Sequence, residues 1–452
     1  MKQIKSKKRV RDFGEVYTQE REVKAMLDLA KEESYLINSL FLEPTCGNGN
    51  FLVEILKRKL SVSKTKEDML NALRSIYAID ILEDNINESK KRLYELVKDD
   101  LTRDEAFFIM NQNIVCGDSL ELLSRSPYTE TKFDVVIGNP PYQLSDGSGG
   151  NGSSAVPLYH KFVQKAKELS PKYITMIIPS RWFSGGRNLD SFRNEMLNDK
   201  HIRNLVDYVD SKECFPGNDI EGGVCYFLWD SSYFGDCSVE TVSKDGRDIF
   251  LRPLLEDNCD TFIRHNKAIS ILKKVSNLKE VSFVTGDFKY NPFGFRSSFK
   301  GHKYPTSEND ITLFGLNSKT FVNINSLSKN KDIVSKYKVC VGKAYGMGAA
   351  PYNVINTPFI LKPNEICTET YLVLSVCNSF QEAVNIKTYI HTKFFRFLVS
   401  LKKISQNSTW STYLLVPTQD FSKPWTDAEL YEKYGLTQEE IDYIESTIRP
   451  MK

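Results

Sequence analysis

The chain has 452 residues, 41% of them hydrophobic and 26% charged, with a formal net charge of +2. This is the balance of a globular protein with room for two or three domains. No apolar run approaches a membrane span, which argues against a membrane protein. Nine cysteines are scattered without a C-x-x-C pair, and five histidines (160, 201, 265, 302 and 391) stand in no ligand spacing. Free thiols in a reducing cytoplasm, and no metal, are the expectation.

The first nine residues, Met1 to Arg9, are basic but contain no apolar stretch, so no secretory leader is expected. Leu40 to Glu43 reads as a short buried strand that ends on a carboxylate. A turn with Gly47 and Gly49 follows, then a helical pattern from Leu52 to Leu60. Glycines there let backbone approach a ligand. The turn lacks lysine and arginine and is no phosphate loop; beside Glu43 it suits a cationic ligand with an amino-acid group. Ser61 to Arg74 is polar and helical in pattern.

Two further strand ends repeat the arrangement. Ser75 to Asp80 closes on a carboxylate placed to accept from a pair of ribose hydroxyls. Asn113 to Asp118 closes on another, placed to accept from an adenine amino group. Either acid alone reads more readily as a solvated loop residue.

The fourth strand, Phe133 to Gly138, runs into Asn139-Pro140-Pro141-Tyr142. Strand C-terminal ends are where open α/β sheets bind ligands. Two prolines remove two N–H donors and stiffen the backbone. The Asn139 amide oxygen and the Pro140 carbonyl are then paired acceptors beside the flat face of Tyr142. Such a site suits a planar group bearing an NH2. The plainer alternative is a tight loop with Tyr142 as packing.

Strand-like and helix-like segments alternate to Trp229, with later strands at Leu205–Val209 and Gly223–Trp229. That argues a doubly wound, largely parallel sheet. Leu144 to Ser154 is glycine- and serine-rich and reads as a mobile flap or a plain linker. A helix is expected near Arg264 to Val275, then an irregular, aromatic-rich module from about residue 280 to 420. Phe288 to Arg296 and Phe394-Phe395-Arg396-Phe397 interleave aromatics with cations, although core packing is the stronger reading of most such rings. Gly342 to Gly348 is a glycine-rich turn that could lie against phosphates. Thr426 with Glu429, and Thr437 with Glu440, each fit a capping box. Residues 260–410 hold 21 Lys+Arg and 9 Asp+Glu, a basic module attached to an acidic remainder. A polyanion is the expected partner of such a module.

In motif order over residues 10–230 the chain resembles gamma-group N6-adenine DNA methyltransferases of bacterial restriction–modification systems. Gly14-Glu15-Val16-Tyr17-Thr18 resembles the motif that closes over the cofactor, with Gln19 where a proline is common. Glu43 to Phe51 resembles the methionine-binding motif, Asp80-Ile81 the ribose motif, and Asp118-Ser119 the adenine motif. Leu158 to Phe162, Ile177 to Trp182, and Cys214-Phe215-Pro216 resemble the later motifs.

The resemblance implies a Rossmann-like catalytic domain over residues 1–245. It implies a mixed α+β target-recognition domain with a helical tail over residues 246–452. It implies S-adenosylmethionine held by Thr18, Glu43, Thr45, Cys46, Gly47, Gly49, Asp80, Ile81, Asp118, Ser119 and Phe162. Catalysis falls to Asn139, Pro140, Pro141 and Tyr142, with Tyr142 and Phe215 stacking on a flipped adenine. Double-stranded DNA and a cognate restriction endonuclease are the implied partners. A protein glutamine-N5 or RNA-base methyltransferase shares the tetrapeptide, and a non-catalytic DNA-binding subunit would share the fold; both stay open at this point.

Overall fold

A computed structural model describes residues 5–6, 8–9, 14–144, 156–186, 188–218, 220–243, 246–257, 259–284, 291–345, 353–403 and 407–451. The expected flap after Leu144, residues 288–290 of the first aromatic run and residues 346–348 of the glycine-rich turn lie outside the described residues. The chain forms two compact units: Met1–Glu256 with Asp260–Phe262, and Asp257–Cys259 with Ile263–Lys452.

The first unit contains strands β1 (Phe41–Glu43), β2 (Ile76–Asp80), β3 (Ile114–Cys116), β4 (Val135–Gly138), β5 (Gln143–Leu144), β6 (Val156–Pro157), β7 (Tyr173–Pro179), β8 (Ile202–Tyr208), β9 (Val224–Asp230), β10 (Cys237–Ser243) and β11 (Gly246–Arg252). β5 and β6 pair with each other; the rest form one sheet in the order β11-β10-β8-β9-β7-β4-β1-β2-β3. From β3 to β7 all neighbours are parallel, and β9 runs antiparallel to both β7 and β8.

Burial dictates this arrangement. Every residue of β4 is buried, as a parallel strand covered on both faces requires. Successive residues alternate between two cores: Phe41, Val135 and Ile137 join Phe51 and Ile55 on one face, whereas Leu42 and Val136 join Phe162 and Trp182 on the other. The strand order reverses between β1 and β4. That switch point opens a crevice at their carboxyl ends, where Glu43 and Asn139 stand.

The boundary expected after residue 245 falls at the closed end of the β10–β11 hairpin, which pairs continuously from Cys237↔Arg252 to Ser243↔Gly246. Ladder hydrogen bonds hold that hairpin to the sheet through β8, so the chain leaves the first unit only near residues 257–262.

The second unit has two three-stranded sheets. β12 (Asp310–Gly315) lies between β13 (Ser318–Asn323) and β16 (Glu365–Cys367); β14 (Tyr337–Gly342) lies between β15 (Phe359–Leu361) and β17 (Tyr371–Cys377). Among the described residues five α-helices accompany them: Ala268–Asn277, Phe380–His391, Lys393–Lys402, Asp427–Lys433 and Gln438–Thr447. Both expected capping boxes form, at Thr426 and Thr437. Phe394, Phe395 and Phe397 are core. Arg396 is 1% exposed and donates to the His391, Thr392 and Arg449 carbonyls. Lys338 and Lys403 are buried likewise on backbone carbonyls, and burial pulls each ammonium down to about 8. These three cations serve the interior, so the basic surface of the module is smaller than its composition suggests. Among the described residues no helix is long and apolar enough to cross a membrane.

Candidate active site

A cleft with about 1050 Å³ of empty space, part of it open to solvent, lies at the switch point of the first unit. Thr18, Glu43, Thr45, Cys46, Gly47, Asp80, Ile81, Asp118, Ser119, Asn139, Pro141 and Phe162 line it. Gly49, Pro140, Tyr142 and Phe215 do not.

Each exception has a physical reason. Gly49 opens helix Asn50–Leu60 with φ +81°, and a Cβ there would stand 2.8 Å from Ser89 Oγ, so it permits close packing of two helices. Pro140 is buried behind the lining. Tyr142 is half-buried and packs on the core, with its hydroxyl buried and unpartnered among the described residues. Phe215 is 0% exposed inside the same core, and its N–H bonds the Ser211 carbonyl at 2.7 Å. Burying a phenyl ring is worth about 2–3 kcal/mol, so this ring stays in the core unless another apolar face replaces that contact.

Two carboxylates close the neighbouring strands β1 and β2. Asp80 closes β2 and is well supplied with donors: Gly47 N–H at 2.8 Å, Leu82 N–H at 2.9 Å and Asn85 Nδ2 at 3.1 Å. Glu43 closes β1, is 2% exposed, and its Oε2 meets no donor among the described residues. The Asn48 side-chain oxygen is another buried acceptor without a partner among the described residues. Burial, followed by the charge of Asp80, raises the Glu43 carboxyl well above its ordinary value of 4.5, against the milder pull of Arg92. Burial also raises the Cys46 thiol, which makes it an inert lining group.

Glu43 makes stability depend on pH. A carboxyl whose folded pKa exceeds its unfolded value keeps a proton that the unfolded chain has released. Without ligand, the fold therefore loses stability as pH rises from about 4.5 through the raised value. Glu43→Gln has no such proton to lose. Its melting temperature is expected to exceed wild type by a margin that widens from pH 5 to pH 8. A margin constant with pH would mean that Glu43 is ionised in the folded protein.

Asp118 is exposed, and its carboxylate accepts from Leu120 N–H at 2.9 Å, capping the short helix Ser119–Leu122 at the cleft wall. The buried Ser119 hydroxyl donates to the Pro44 carbonyl and so braces the glycine turn.

Asn139 directly follows β4, the strand beside β1. Its Nδ2 donates to the Val16 carbonyl at 2.9 Å. A carbonyl can only accept, so the amide must present its NH2 to Val16, and Oδ1 is left as its acceptor. The Thr45 hydroxyl donates to the Asn139 main-chain carbonyl at 3.2 Å, tying the glycine turn to the end of β4.

Residues 14–18 form a strap over the cleft. Gly14, with φ +65°, packs on Pro141; the Tyr17 ring covers Gly47; the Thr18 carbonyl accepts from Asn50 Nδ2 at 2.7 Å. The cleft also uses Val16, Tyr17, Asn48, Asn50, Asn85 and Leu158. All but Asn85 lie inside motifs recognised in the sequence, without an individual role there. Asn85 stands in the first turn of helix Glu83–Glu95 with nothing in local pattern to mark it.

Residues 49–215 match the model of the Eco57I restriction-modification methylase family. Over 133 residues it is 42% identical to an uncharacterized adenine-specific methylase of Mycoplasma pneumoniae, covering 29% of this chain and 32% of that protein. Over 139 residues it is 30% identical to the type II methyltransferase M.PaeR7I of Pseudomonas aeruginosa, covering 28% and 23%. The match thus spans about a third or less of each relative. Among solved structures, the type IIL restriction-modification enzyme MmeI in complex with DNA superposes with a TM-score of 0.53 at 10% identity, over 91% of this chain and 68% of that one. A nuclease-deletion mutant of the type ISP enzyme LlaGI gives 0.52 at 11% identity, over 86% and 45%. These establish a methylase-type sheet with an additional domain. The methylase segment begins after Glu43, Gly47 and the strap, which the fold brings to the cleft.

Proposed function

We propose that the protein is a site-specific DNA adenine-N6 methyltransferase acting in the bacterial cytoplasm as the modification enzyme of a restriction–modification system. The observation that carries this reading is the Asn139 amide, held by Val16 with its oxygen as acceptor, in the same cleft as the strand-end carboxylates Glu43 and Asp80.

The residues fit S-adenosylmethionine. Glu43 and Asn48 are buried acceptors with no donor among the described residues, and the ligand's cationic end supplies positive charge and N–H donors. Asp80 stands where ribose hydroxyls would donate, and Asp118 and Phe162 are at the adenine end. When bound, the sulfonium supplies an activated methyl group with a good leaving group. The protein's task is then mainly to position the acceptor nitrogen.

An adenine must leave the duplex to reach this strand end. Asn139 Oδ1 accepts from its N6, and the carbonyl of the buried Pro140 would accept the second hydrogen once the incoming base uncovers it; together they hold the nitrogen lone pair toward the donor. The same acceptors stabilise the positive charge that develops on N6 as the bond forms. Tyr142 offers a stacking face. Phe215 would need to leave the core to offer a second one, so Tyr142 is the residue assigned to the base. The basic second unit is the proposed DNA-reading module, and a cognate endonuclease the proposed functional partner.

The test is methyl transfer from labelled S-adenosylmethionine to duplex DNA, RNA and glutamine-containing release-factor peptides, followed by mapping of the modified base. N6-methyladenine at one recurrent sequence is the expected product; label in RNA or peptide alone would overturn the assignment. Duplex affinity should also fall roughly 10²–10³-fold between 50 and 200 mM salt, because lysines displace counterions from phosphates. Salt-independent binding would remove the electrostatic role given to residues 260–410.

A further inference from the structure

We propose that Asn85 is a positioning residue that ties the ribose-binding carboxylate to the orientation of the catalytic Asn139 amide. The proposal rests on the methyltransferase reading above. Asn85 is 1% exposed. Its Nδ2 donates to Asp80 Oδ1 at 3.1 Å and to Glu15 Oε1 at 2.7 Å. Its Oδ1 accepts from the Tyr17 hydroxyl at 3.3 Å and from Lys5 Nζ at 3.0 Å. One amide thus grips the cofactor floor with one hand and the strap with the other.

The two strap residues it grips are 15 and 17. Between them is Val16, whose carbonyl holds Asn139 Nδ2. Anchoring the side chains on both sides of Val16 restricts rotation of its peptide, and so fixes the direction of that carbonyl. Charged contacts brace the same segment from outside: Arg9 pairs with Glu15 and Asp84, and Lys5 with Asp84 and Glu88.

The consequence is chemical. If the Val16 carbonyl turns away, the Asn139 amide loses the acceptor that sets its orientation and can turn over. A turned amide presents NH2 to the NH2 of the target, and the acceptor is lost. Occupation of Asp80 by a ribose would act on a carboxylate that Asn85 already holds. By linkage, a closed strap then favours cofactor binding, and bound cofactor favours a closed strap. Cofactor and acceptor sites would become competent together.

A merely structural amide would behave differently. Its loss would lower stability and cofactor affinity, but saturating cofactor would restore the rate. The experiment is single-turnover methyl transfer by the full chain at saturating DNA and S-adenosylmethionine, for wild type, Asn85→Ala and Tyr17→Phe. Melting curves, cofactor titration by calorimetry and backbone amide exchange of residues 14–18 accompany it. Asn85→Ala is expected to weaken cofactor binding about tenfold and to slow transfer at saturation about 10–100-fold, a part of what complete loss of one oriented acceptor costs. Tyr17→Phe should move both in the same direction by less, and it decides the matter if Asn85→Ala does not fold. A folded variant that transfers methyl at the wild-type rate once saturated overturns the proposal.

Failure of the enzymatic reading is separable. If wild type methylates neither nucleic acid nor peptide, the exchange measurement decides. Slowing of exchange at residues 14–18 by S-adenosylmethionine in wild type, absent in Asn85→Ala, supports the tie. Equal slowing in both proteins, or none in wild type, overturns it.

Discussion

Asn139→Ala is expected to slow methyl transfer about 10²–10³-fold while leaving S-adenosylmethionine affinity close to wild type. The side chain is at the end of β4 and spends its NH2 on the Val16 carbonyl. Its oxygen matters most when N6 becomes positively charged, which is a transition-state contact. The substitution also releases the Val16 carbonyl, but that group is on an accessible strap and can find water. Loss of the Asn139 side chain leaves the main-chain bond from Thr45 in place, so the glycine turn keeps its anchor. Single-turnover rates and calorimetric titration separate the two effects. A variant that transfers methyl at near wild-type speed would remove Asn139 from catalysis; one that loses cofactor affinity in proportion to rate would make it a cofactor ligand.

Asp80→Ala should produce the largest loss of cofactor affinity, about 10²-fold, together with a measurable loss of stability. Two hydrogen bonds to a charged acceptor are worth roughly 1.5–3 kcal/mol each in a partly desolvated site. The same carboxylate is acceptor for Gly47, Leu82 and Asn85. Its removal leaves the Gly47 and Leu82 N–H groups and the buried Asn85 amide without that partner, at about 1–3 kcal/mol for each one that water does not reach. Part of that is offset. Burial raises the Asp80 carboxyl above its ordinary value despite those three donors, so ionised Asp80 carries a desolvation burden that alanine relieves. A net destabilisation of about 2 kcal/mol is the expected result, read as a fall in melting temperature of several degrees. Asp80→Asn keeps an oxygen for Leu82 and Asn85 and should recover much of the melting temperature without recovering affinity. Unchanged affinity in Asp80→Ala would end the ribose assignment, whatever happens to stability.

The legible part of the site is the part written at strand ends. Glu43, Asp80, Asp118 and Asn139 each close an apolar run of three to six residues, and a run with a polar stop can be read without knowing its neighbours. The sheet brings their carboxyl ends together, because parallel strands of a doubly wound fold all point the same way. Gly14 to Thr18 was legible only as a motif. Which of its atoms matter could not be read, since Val16 acts through a carbonyl that every residue type possesses. Asn85 was silent for a related reason. Its partners lie at sequence separations of 5, 68, 70, 76 and 80 residues, and no local pattern carries the four longer ones.

Phe215 and the basic module show the opposite failure, in which a residue type suggested more than its surroundings allow. An aromatic near a strand end can face a ligand or the core, and here the core takes it entirely. Arginine or lysine in a basic segment can face phosphate or cap internal carbonyls, and Arg396, Lys338 and Lys403 do the latter.

By itself the sequence determined the class of sheet and the order of the strand-end groups, and set the expectation of paired acceptors at Asn139 and Pro140. Hydrophobic periodicity and side-chain functional groups are local properties, and they survive unfolding. Only the tertiary structure decided that the strap crosses the cleft, that Val16 holds the Asn139 amide, that Glu43 Oε2 is buried without a donor among the described residues, and that Phe215 belongs to the core. Those are properties of burial and of direction, and neither exists until distant segments pack together.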